Sequence, residues 1–102
     1  MGTSDDLIAE LIEILGSENV YFQPPASVHL SYPCFVLELS NTYTRRADNK
    51  AYNNINRYSI THIFKSLSKE LKDDVLNHFE MISHDNRQIV DGLYHDYFTL
   101  YY

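Results

Sequence analysis

A single cysteine, Cys34, stands in a chain of 102 residues. That excludes an intrachain disulfide and a zinc site built from several thiolates. It also makes a reducing compartment, the cytoplasm, the expected setting. Basic residues are few: eight Lys and Arg against fourteen Asp and Glu give a net charge of -6. A protein that grips nucleic acid by general phosphate neutralisation needs the opposite balance, and no sequence-specific nucleic-acid partner is expected. No apolar run approaches the roughly 18 residues of a membrane span. The first turn carries Asp5 and Asp6 where a secretory signal carries Lys or Arg, so neither a leader nor a membrane partner is expected. The glycines are only Gly2, Gly16 and Gly92, too scattered for a loop that cradles phosphate. A chain this short holds one core, so residues 1–102 are read as one domain. At 44% hydrophobic residues it is too apolar to be disordered.

Aromatic residues are abundant: nine Tyr and five Phe, with no Trp. Tyrosine joins a large apolar ring to a polar tip and serves cores and interfaces alike. The count fits a Tyr-rich sheet, since Tyr is a good strand former, or rings that line a subunit interface.

The periodicities place the elements. Thr3 or Ser4 caps a first helix, with Asp5 and Asp6 at its positive end. Leu7, Ile8, Leu11, Ile12 and Leu15 form its apolar stripe, and Gly16 offers the stop. Residues 19–23 read as a short strand ended by Pro24 and Pro25. From Cys34, residues Phe35, Leu37 and Leu39 alternate with Glu38, Ser40 and Thr42, which is the period of a half-buried strand. Tyr58, Ile60, His62 and Phe64 give the same pattern over 56–64. A second helix is expected over 68–80, with Ser68 as cap and Leu71, Val75, Leu76 and Phe79 as its stripe. Asp91-Gly92 is the strongest tight-turn signal, between Ile89-Val90 and a last strand from Leu93. The expected class is α+β, order α-β-β-β-α-β-β, with two helices on one face of an antiparallel sheet.

Catalytic and metal chemistry finds little footing. His84-Asp85 and His95-Asp96 are paired residue types used in hydrolases and metal centres. Neighbours on a strand point to opposite faces, however, and a metal needs three or four converging ligands. Cys34 lies between Pro33 and Phe35 with nothing to activate it. His62, on the apolar face of its strand, reads as a hydrogen-bonded core histidine. No catalytic, cofactor-binding or metal residue is expected, and no enzymatic activity.

The segment from Thr44 to Asn54 is polar and rich in Asn and Asp, which reads as a long loop. Arg45, Arg46, Lys50 and Arg57 are half of the basic residues. The loop is either a solvated connection or an arm that contacts another subunit or an acidic partner.

Several blocks in order also carry a resemblance. Val20-Tyr21-Phe22-Gln23-Pro24-Pro25, Tyr32-Pro33-Cys34, Ala47-Asp48-Asn49-Lys50-Ala51-Tyr52, Arg57-Tyr58 and the final Asp91–Tyr102 run resemble small tail-completion and tail-terminator-like proteins of long-tailed phages and prophages. The resemblance spans about residues 18–102. It implies a structural virion protein, assembled in the host bacterial cytoplasm and resident in the virion tail. It also implies a ring of identical subunits, commonly a hexamer, between tail-tube and head-connector proteins, with no cofactor. The implied contact residues are Arg45, Arg46, Asp48, Asn49, Lys50 and Tyr52, together with Tyr94, His95 and Asp96. Charge distribution is compatible. Residues 1–38 hold six acidic residues and no Lys or Arg, and the basic residues begin at Arg45. Opposite patches on one subunit suit the head-to-tail contacts of a ring. The alternatives are a head–tail connector or minor capsid protein of the same phage type, and a non-viral protein-interaction module.

Overall fold

The computed structural model describes residues 3–47 and 50–102, and for residues 41–55 the backbone alone. Helix α1 spans Ser4–Leu15. Its start is a reciprocal cap: the Thr3 hydroxyl accepts from the Asp6 amide and the Asp6 carboxylate accepts from the Thr3 amide. Its end is Gly16, whose φ of 78° only glycine adopts without strain. Strands β1 (Val20–Phe22), β2 (Cys34–Ala47) and β3 (Lys50–Phe64) follow. A 3-10 turn at Leu67–Lys69 and helix α2 (Lys72–His78) lead to β4 (Ile82–Val90) and β5 (Leu93–Tyr101).

The expected α+β class and element order are those observed. One sheet runs β1-β2-β3-β5-β4. Its β2–β3, β3–β5 and β5–β4 pairs are antiparallel, but β1 lies parallel to β2, so the sheet is mixed. The cause is the connection between them. Residues 23–33, with prolines at both ends, carry the chain back along the sheet before β2 starts, as a parallel pair requires. The expected second helix is also divided. Ser66, not Ser68, caps the first turn, and Glu70 takes an extended conformation (φ -63°, ψ 134°) that ends it. The regular helix then starts only at Lys72.

Both helices cover the same face. Leu7 and Leu11 from α1 and Val75 and Phe79 from α2 pack on Phe35, Leu37, Tyr58, Ile60, Phe98 and Leu100. These sheet residues line up across the strands, Leu37 beside Ile60 beside Phe98. Each is a position that period-2 reading assigns to the core. The β4–β5 turn is tight: Asp91 and Gly92 have φ of 53° and 76°, the geometry of a type I′ hairpin.

Candidate functional site

The residues singled out in the sequence fall in two places. Arg45 and Arg46 lie in β2, and Lys50 and Tyr52 in β3. Asp48 and Asn49 lie outside the described residues. The expected loop is therefore mostly strand: β2 and β3 stay paired from Asn41–Arg57 out to Ala47–Lys50, with an irregularity between Arg45 and Arg46. Strand β5 accompanies β3 only as far as Arg57, opposite Tyr101, with Asn56 and Tyr102 bonded just beyond. Past that point the two strands pair only with each other among the described residues. At about 3.3 Å per residue such a ribbon reaches about 20 Å. The molecule is accordingly long, 51 Å against 30 and 23 Å. The run from Arg45 to Tyr52 lacks the apolar alternation that marks a half-buried strand, so it reads as loop in the sequence.

The β5 block is placed differently. Tyr94 is half-buried and stacks on Phe64 at 5.3 Å. His95 is on the face away from the helices, and its Nδ1–H donates to the Leu93 carbonyl at 3.1 Å. Asp96, expected at a partner surface, is instead fully buried. Its side chain is on the helix face, beside His62 on β3. Arg87 on β4 grips it with two parallel bonds, Nε to Oδ1 at 2.6 Å and Nη2 to Oδ2 at 2.8 Å. His84 Nε2 donates to Oδ1 at 3.1 Å. Arg87 also meets Glu70 at 3.2 Å, and its guanidinium lies 5.7 Å from the Phe64 ring centre. Asp96 thus faces inward, toward its own subunit.

A bulge makes this convergence. His84 and Arg87 are an odd number of residues apart, and a regular strand sends them to opposite faces. The register slips between His84 and Asn86, so that Asp85 is the extra residue. His84 then opposes Phe98 while Arg87 opposes Asp96, both on the helix face. Asp85 turns outward, where Ser83 and Thr99 donate to it.

The charges follow from this packing. Burial alone would raise the Asp96 carboxyl pKa. The bonds from Arg87 and His84 outweigh it and hold the group below its ordinary value. The bond to Asp96 is the main reason the Arg87 pKa is raised, against the cost of burial. His62 is sealed between Phe35 and Phe64, with ring centres 4.9 and 4.6 Å away. Among the described residues neither ring nitrogen has a hydrogen-bond partner, so it is a core histidine but not the bonded one expected. Burial pushes its pKa down to about 4, against the pull of Asp96. Cys34 is also buried, and burial pushes its thiol up to about 11. Among the described residues, no three His, Cys, Asp or Glu side chains converge as metal ligands.

At the other end of the helix face, Glu10 of α1 accepts from His78 Nε2 at 2.9 Å and from the Tyr102 hydroxyl. Beside it, Glu13, Ile14, Asp74, Asn77 and His78 line an open depression between α1 and α2. Its rim carries two carboxylates and no lysine or arginine.

Of these groups, sequence reasoning missed Glu70 and Arg87 and weighed His84 only for metal or hydrolase chemistry. No pattern in the sequence marks the bulge that brings them together. Comparison of the chain with family models, with curated proteins and with solved structures finds no match.

Proposed function

We propose that this protein is an assembly subunit, a tail-completion or tail-terminator protein of a phage or prophage, which joins identical copies head to tail into a ring at the head–tail junction. The observation that carries the reading is the β2–β3 ribbon, which runs past the end of β5 and, among the described residues, pairs only within itself. A two-stranded ribbon alone is marginal in water, and docking on a neighbour supplies the layer it lacks. The ribbon's sequence brings Arg45, Arg46 and Lys50 to its far end. The complementary charge lies on the helix face, where Glu13 and Asp74 line the depression between α1 and α2. One basic and one acidic patch on each copy make a heterologous contact, the kind that closes rings, with charge setting register more than affinity. The resemblance in the ordered sequence blocks supplies the phage context, the virion location, and the tail-tube and head-connector partners.

The test is the double substitution Arg45→Glu with Arg46→Glu. Assembly weakens while the monomer stays folded, because substitutions away from the core usually change stability by no more than about 0.5 kcal/mol, and the core cluster among the described residues includes neither position. An unchanged oligomer size overturns the role given to the ribbon.

A further inference from the structure

We propose that His62 is an acid-operated latch: when it takes up a proton, the end of the sheet where Asp96, Arg87 and Glu70 meet comes open, while α1 keeps its place. This role is separate from assembly and rests on unmet bonding around the ring. A protonated imidazole carries two N–H donors and a full charge. His62 is fully buried, and both nitrogens lack hydrogen-bond partners among the described residues. Phe35 on β2 and Phe64 on its own strand close over the ring.

The charged and titratable groups that face it come from two directions. On β5 and β4 they are Asp96, Arg87 and His84, and from the segment before α2, Glu70. The apparent acceptor, Asp96, is already engaged. Its Oδ1 takes Arg87 and His84, and its Oδ2 takes the second Arg87 bond. Glu70 is held by Arg87, and Arg87 itself repels a second cation. An imidazolium here is therefore a buried charge with no hydrogen bond to its ring, and the pull of Asp96 does not offset its burial, so the fold sheds it by opening. The opening has an easy route, because β4 is an edge strand bonded to one neighbour only and interrupted by its bulge.

The sign is fixed. His62 is neutral in the closed state down to about 4 and takes a proton near 6.5 once exposed. Opening is therefore independent of pH above about 6.5 and grows as pH falls toward 4. By pH 4 the open population has risen by about 150-fold, close to tenfold for each pH unit in the middle of the window.

The experiment is amide hydrogen exchange on the whole chain between pH 7.5 and 4.5, corrected for intrinsic rates, beside an NMR titration of the His62 ring. In the native protein, protection of the Arg87–Phe98 amides falls with acidification and that of Leu7–Leu11 does not. In His62→Leu the acid-induced fall disappears. An equal fall in His62→Leu overturns the proposal. Should that variant not fold, the native titration decides: a ring that protonates near 6.5 in the folded protein also overturns it.

Discussion

Removing the Arg87 side chain is expected to cost far more than removing the pair. Arg87→Met deletes both bonds to Asp96 and leaves that carboxylate buried with His84 alone. Breaking a buried pair from one side costs about 3–5 kcal/mol, because a charge is stranded in the interior. Asp96→Leu is milder. The Arg87 side chain keeps 29% exposure and its contact with Glu70, so its charge still reaches water, and the loss is about 1–3 kcal/mol. Replacing both, Arg87→Met with Asp96→Leu, leaves no fully buried charge behind and puts apolar groups beside His62; His84 and Glu70 lose a partner but both are partly exposed. Such replacements are often neutral, so the double variant is expected within about 1.5 kcal/mol of the native protein. The coupling between the sites then exceeds about 2 kcal/mol. Urea unfolding of the four proteins at pH 7 reads it, provided the slopes agree. Single losses that simply add, or an Arg87→Met loss below about 1 kcal/mol, refute the account of a buried pair.

Further outcomes follow from the same structure. Thr3→Ala removes the side chain that accepts from the Asp6 amide and lowers stability by about 1 kcal/mol, measured as a shifted urea midpoint. Cys34, buried with its thiol pushed up to about 11, resists thiol reagents at pH 8 in the folded protein and reacts in urea; labelling at equal rates in both states contradicts this. Whole-chain stability is flat between about pH 7 and 8 and falls by about 3 kcal/mol toward pH 4, as unfolding lets His62 take its proton; above about pH 9 it falls again, because unfolding frees the buried Cys34 thiol to ionise. Asp96, held below its ordinary value, adds its own loss only at still lower pH. Urea midpoints across that range, with His62→Leu beside the native chain, separate the two.

The elements legible in the sequence are those whose pattern one physical rule governs. Leu7 and Leu11 at helical spacing, Phe35 with Leu37, and Tyr58 with Ile60 mark buried faces because a half-buried element must alternate with its period. Asp91-Gly92 marks its turn because both residues take positive φ. The polar site was hidden because its residues meet through register. The slip at Asp85 turns Arg87 toward Asp96, and no local rule states where a strand bulges. The ribbon was hidden for another reason: the run from Arg45 to Tyr52 lacks apolar alternation, so it reads as loop. The parallel pairing of β1 depends on the path of residues 23–33, which propensity does not encode.

The central claim, head-to-tail assembly through the ribbon, is tested most directly by absolute mass in solution from light scattering over a concentration series. The native chain is expected to form a discrete closed oligomer of more than two copies, and Arg45→Glu with Arg46→Glu to return it to monomers. A symmetric dimer, or a monomer at every concentration, contradicts the claim.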